Sequence, residues 1–238
     1  MTRQRGMALL LVLGVLAVLA TSLGVIAGTV RLHQFQARYQ MQQTQAGLAA
    51  EAGITLAVMG LQALGPGNPW KSNGEVHHLE FDDSRLSVSV RSERGKLDLN
   101  SASADDIKGV LIACGYGGQQ AQQVAQSLTR KREDAPLRTL EEFREFSMLS
   151  YSLFECVSPL ITVWSGETRP DASLANPVLL RALGIRPMDA APGNEGRVFT
   201  ITSEATLRGG GHTSLQVTLM LTTETVGAKP YRVLRWKE

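Results

Sequence analysis

Residues Met7 to Val30 contain no charged side chain, and almost all of them are apolar or small. That run is longer than the roughly 20 residues a membrane-spanning helix needs. It is also longer than the apolar core of an ordinary secretory signal. A short basic head, Met1-Thr2-Arg3-Gln4-Arg5-Gly6, precedes it, and Arg31 and Arg38 follow. Three readings fit: a plain signal anchor, a signal cleaved at the small-residue stretch Ala17-Val18-Leu19-Ala20, or a leader cut between Gly6 and Met7. The third leaves the hydrophobic helix on the mature chain. A head this short that stays inside satisfies the positive-inside rule and places everything after Val30 outside the inner membrane.

The helical pattern does not stop at Val30. Leu32, Phe35, Tyr39, Ala46, Ala50, Ile54, Val58 and Leu61 recur at helical spacing on one face. Gly47, Gly53 and Gly60 weaken that face without breaking it. The pattern predicts one helix from Met7 to about Leu61, half in lipid and half packed on a domain, about 80 Å long. The breaker Gly65-Pro66-Gly67-Asn68-Pro69 ends it.

Strand signals follow at 76–81 and 86–92, where Leu86, Val88 and Val90 alternate with polar residues. Three more occupy 198–207, 215–221 and 231–236, with turns at Gly209–Gly211 and at 227–230. Between the two groups the pattern turns helical. Ser103-Ala104-Asp105-Asp106 caps a helix carrying Ile107, Val110 and Leu111, and Gly115-Tyr116-Gly117-Gly118 breaks it. A second helix ends in Arg130-Lys131-Arg132. Thr139-Leu140-Glu141-Glu142 caps a third, with Phe143 and Phe146 inward, and a fourth runs from Tyr151 to Val157. Asn176, Pro177 and Gly184 supply the cap, first residue and stop of one more.

Chemistry-bearing constellations are scarce. A net charge of +2 over 238 residues gives no general mandate for nucleic acid. His77 and His78 are adjacent in a strand and point to opposite faces, and His33 and His212 stand alone. No nucleophile elbow or metal-ligand spacing occurs, so neither an enzyme nor a metal site is expected. Asp82, Asp83 and the acidic residues after Arg132 lack the spacing of a calcium loop. Cys114 and Cys156 are the sole cysteines. In an oxidising compartment they form a bridge or stay two buried thiols, and the sequence leaves both open.

The Gly6-Met7-Ala8-Leu9-Leu10 junction with its unbroken apolar run resembles the leader of type IV pilins and of type II secretion pseudopilins. That resemblance implies a prepilin peptidase that cuts after Gly6 and N-methylates Met7. Most of that family carry a glutamate at the fifth mature position, where this chain has Leu11. Minor pseudopilin K of type II secretion characteristically lacks it. The helical stretch opened by Leu97-Asp98-Leu99-Asn100-Ser101-Ala102 is similar to the insertion of that subunit, and Tyr231 to Glu238 to its closing strand.

The resemblance implies an α+β fold: a pilin-like long helix and antiparallel sheet with an inserted all-α domain of helix-hairpin-helix or SAM-like type. The divisions would be a leader at 1–6, a transmembrane half-helix at 7–30, helix and first strands at 31–99, insertion at 100–163, and return segment with closing sheet at 164–238. It implies a single-pass inner-membrane subunit with a periplasmic body at the pseudopilus tip. Its partners would be the I and J minor pseudopilins, the major pseudopilin and the peptidase, with no cofactor (calcium left unassigned) and no nucleic acid. The rival is a membrane-anchored competence protein, because the same helical stretch resembles the helix-hairpin-helix modules of DNA-uptake proteins. There the amides at Gly115–Gly118 would hold phosphate beside Arg130, Lys131 and Arg132.

Overall fold

The computed structural model describes residues 4–63, 70–186, 195–222 and 230–238, and along the first helix only the backbone of 4–10, 18, 20 and 23–30. Helix α1 runs unbroken over Gln4–Gln62, about 90 Å at 1.5 Å per residue. The expected breaker Gly65–Pro69 and most of the turn at 227–230 lie outside the described residues.

Strands β1 (Asn73–Phe81), β2 (Ser84–Ser92), β5 (Val198–Leu207), β6 (His212–Leu221) and β7 (Tyr231–Lys237) form an antiparallel sheet in the order β1-β2-β5-β6-β7. The C-terminal half of α1 lies across one face. Its buried side is made of small residues, Ala46, Ala49, Ala50, Gly53 and Ala57, joined by Ile54 and Val58. Small side chains let the helix axis come close, so close that a Cβ on Gly53 would run into Ser203 and Val88 of the sheet. The facing strands supply Leu86, Val88, Val90, Phe199, Ile201, Val217 and Leu219, which complete a dry core. The expected alternation in β2 holds, with Leu86, Val88 and Val90 buried.

Leu32, Phe35 and Tyr39 depart from expectation. They share the face of α1 that packs higher up, yet they are 57%, 70% and 68% exposed. The sheet stops short of them. The first side-chain ties from α1 to the body are Gln42 Nε2 to the Gly209 carbonyl at 2.9 Å and Gln43 Nε2 to Thr213 Oγ1 at 3.0 Å.

Ser92 pairs with Phe199, so β2 and β5 are neighbours and the excursion from 93 to 198 leaves and returns at one rung. Its neck is a parallel ladder that the sequence did not signal, β3 (Leu97–Asp98) beside β4 (Ile161–Thr162). Beyond it lie α2 (Ala104–Ala113), α3 (Gly118–Asp134), α4 (Leu140–Ser147), α5 (Tyr151–Val157) and α6 (Pro177–Leu183). Caps are where the sequence placed them: Ser103, Thr139 and Asn176 accept from Asp106 N, Glu142 N and Val178 N. Helices α2, α4 and α6 stop alike, with a left-handed residue followed by an amide bonded five residues back. Gly115 and Gly184 fill that position in two of them, while α4 uses Met148 at φ 51°. The insertion has its own core around Phe143, Leu128, Ile107, Leu111 and Leu97. The fold is α+β: a long helix on an antiparallel sheet, interrupted by a helical excursion on a neck of two short parallel strands.

Candidate functional site

The outer surface of α1 is the first candidate, because it is apolar where nothing in the chain covers it. Leu11 is 69% exposed, and Val12, Leu13, Val15, Leu16 and Leu19 are exposed with it. Among the described residues no helix is both long and apolar enough to cross a membrane. The side chains of 1–10, 18, 20 and 23–30, which include Gly6 and Met7 and much of the apolar run, lie outside the described residues. Above them the exposed residues Leu32, Phe35 and Tyr39 carry the apolar stripe up to the foot of the sheet.

The neck of the insertion is the second. Asp98, almost fully buried, accepts from the amides of Asn100 at 2.8 Å and Gly166 at 2.7 Å and from Ser165 Oγ at 3.2 Å. Asn100 donates to the carbonyls of Leu137 and Val163 and accepts from Leu137 N at 2.8 Å. One aspartate and one asparagine thus tie the entering strand, the α3–α4 loop and the returning strand together. The sequence signal was there, since two polar residues alternate with buried Leu97 and Leu99; only their role as a hub was not legible.

Cys114, at the end of α2, and Cys156, in α5, form a disulfide with Cα atoms 5.8 Å apart. It fastens α5 to the end of α2. On the same side, α4 and α5 meet strand β7. Arg235 donates from Nε and Nη2 to Glu141 Oε1 at 3.0 and 2.6 Å, and Lys237 Nζ donates to Glu155 Oε1 at 3.1 Å. Hydrogen bonds from Lys237 and Tyr151, together with the charge of Lys237, hold the Glu155 carboxyl below its ordinary range. These partners lie more than eighty residues apart in sequence, and neither spacing nor composition pairs them.

Deeper in, Glu93 is fully buried between the neck and the sheet. Its Oε1 accepts from Lys96 Nζ at 2.5 Å and Thr200 Oγ1 at 2.6 Å, and Thr200 meets Thr218 at 2.8 Å.

The basic run is largely committed inside the molecule. Arg132 donates to the carbonyls of Leu99 and Ala102 at 3.0 and 2.7 Å, and Lys131 sits over the Phe146 ring. Arg130 alone of the three is exposed. The Gly115–Gly118 turn starts α3 with Gly117 as a cap that offers no side chain. The two strand histidines point apart as expected: His77 stacks on Trp70, with ring centroids 4.6 Å apart, and His78 Nδ1 meets Ser87 Oγ. His212 Nδ1 meets Thr206 Oγ1. Asp82 and Asp83 form the β1–β2 turn, Asp82 in the left-handed region. Among the described residues no group of histidine, cysteine and carboxylate side chains is arranged to hold a metal.

No protein-family model and no curated relative matches the chain. A solved structure does: a chain in the crystal structure of the GspK–GspI–GspJ complex from the type 2 secretion system of enterotoxigenic Escherichia coli. The two superpose with a TM-score of 0.57 at 14% identity, over 85% of this chain and 98% of that one. At that identity the likeness speaks for the fold. The fold is that of a GspK-like pseudopilin.

Proposed function

We propose that the chain is a minor pseudopilin of a type II secretion apparatus, acting by assembly and not by catalysis. It is held in the inner membrane through Met7–Val30, cut by a prepilin peptidase after Gly6, and N-methylated at Met7. Its body stands in the periplasm, an oxidising compartment in which the Cys114–Cys156 bridge persists. The observation that carries this reading is α1. One helix leads without a break from an uncharged run to a small-residue face packed on the sheet.

The partners are minor pseudopilins of the I and J type, which accompany GspK in the related complex, and the major pseudopilin below them. The place is the tip. In a subunit with a neighbour above, a glutamate at position 11 would meet that neighbour's N-terminal amine, and an unpaired charge in lipid is costly. Leu11 leaves nothing unpaired. The bulk of the insertion would also obstruct a subunit stacking from above.

Intact-mass and N-terminal peptide analysis of the protein from membranes, with and without the peptidase, tests the processing. The expected result is a chain starting at N-methyl-Met7 only when the peptidase is present; a chain cut beyond Ala20 refutes it. Leu11→Glu tests the tip: secretion stays level or falls, and a clear gain would sink the assignment.

A further inference from the structure

The insertion and the sheet have separate apolar cores, and among the described residues none belongs to both. What seats one on the other is largely polar. On one side stands the neck, where the buried Glu93 accepts from Thr200 Oγ1 of β5 at 2.6 Å and Lys96 Nζ reaches the same hydroxyl at 3.4 Å. On the far side stand Glu141–Arg235 and Glu155–Lys237. Between them runs a crevice of about 150 Å³ whose walls are mostly polar, with Lys96, Ser158, Thr200 and Thr218 among them, and which Leu140, Pro159 and Trp164 of the insertion also line. Glu93 lies beneath it, bonded to two of those residues, and its Oε2 has no protein partner.

An apolar seat would be indifferent to salt. Ion pairs at half-exposed positions are weak, and salt screens them. The carboxylates of this clasp are 46% and 45% exposed and Lys237 is 47% exposed, while Arg235 is more enclosed at 18%. Cys156 follows Glu155 and is bonded to Cys114 at the end of α2. A pull on Glu155 is therefore passed to the whole insertion, not to one fraying helix.

We propose that the insertion is a body that swings on its neck, and that Glu141–Arg235 with Glu155–Lys237 form the clasp that closes it on the edge strand β7. Opening separates the walls of the polar crevice and leaves both apolar cores intact.

The test uses the full chain in lipid nanodiscs, with spin labels at Met148→Cys on the α4–α5 turn and Ser214→Cys on β6. Wild-type protein at physiological salt gives one narrow distance peak. In Arg235→Ala/Lys237→Ala a second, longer population grows up to about thirtyfold, the combined upper weight of two such pairs. Wild-type protein in 1 M salt shifts the same way. Reversing both pairs, with Glu141→Lys, Arg235→Glu, Glu155→Lys and Lys237→Glu together, restores the narrow peak. A peak that stays single in the neutralised variant and in 1 M salt overturns the proposal. So does loss of amide protection in α2 and α3 of the neutralised variant, which would make the clasp part of the insertion's folding.

Discussion

Replacing Cys114 and Cys156 by serine removes a cross-link that spans 42 residues of sequence. In the chain-entropy account, a bridge over a loop of that size stabilises by about 4 kcal/mol at 25 °C, chiefly by restricting the unfolded chain. The loop it closes holds α3, α4 and most of α5, so the loss falls on the insertion. Among the described residues the sheet has none in the insertion's core. The effect is therefore regional, and a single midpoint from a melting curve would blur it. Native-state amide exchange followed by mass spectrometry separates the two. Amides of α2, α3 and α4 should exchange up to about a thousandfold faster in the double serine variant, which is 4 kcal/mol at about 1.4 kcal/mol per decade. Peptides from β2, β5 and β6 should keep their rates. Equal acceleration in both regions would refute the separation of cores, and a change below tenfold would refute the entropic estimate.

Other substitutions probe other joints. Gly53→Ala places a methyl against Ser203 and Val88, so it should cost about 1 to 3 kcal/mol of sheet stability in urea denaturation, as overpacking does. Asn100→Ala removes three hydrogen bonds at the neck. At about 1 kcal/mol each it should lower the insertion's stability by about 3 kcal/mol in the exchange assay, with little change in β5. The Glu155 carboxyl titrates below 4.5, its ordinary value, because of Lys237 and Tyr151, with Arg235 adding a weaker pull. Since the folded value is the lower one, its contribution is present above the ordinary carboxylate range and is lost as pH falls through the folded value. The fraction seated on β7, read by the spin-label distance, should fall below about pH 4.5, and Glu155→Gln should flatten that part of the titration.

How much of this was legible beforehand divides along physical lines. Local signals read well, because caps and breakers act within a few residues. Ser103, Thr139 and Asn176 cap the helices they were expected to cap, and Gly184 ends α6 in the left-handed region. The α4 stop was less visible, since Met148 fills a position where glycine would be the usual sign. Periodicity placed α1 but overstated its packing. It marks which side of a helix is apolar, and Leu32, Phe35 and Tyr39 are apolar on the same side as Ala46 and Ala50. It does not say how far along the helix a sheet extends. Long-range polar pairs were out of reach altogether. Glu141 and Glu155 lie on helices of the insertion and Arg235 and Lys237 on the closing strand, with no spacing that pairs them. Only the fold brings those four together.

The pairing of Ser92 with Phe199 explains why the two halves have separate cores. A chain that leaves a sheet and returns at the same rung imposes no register change on the strands that flank the excursion. The sheet then needs nothing from the helices to complete its apolar face, which α1 already covers. The insertion, for its part, must bury its own apolar side chains, and does so around Phe143 and Leu128. Beside the edge of the insertion's core at Leu140 and Trp164, what fills the seam is residue chemistry neither core can use: the carboxylate of Glu93, the threonines at 200 and 218, and the charges at 141, 155, 235 and 237. A polar seam there is the consequence of two finished cores meeting. A polar seam is also the kind of contact that salt and pH can loosen without unfolding either side.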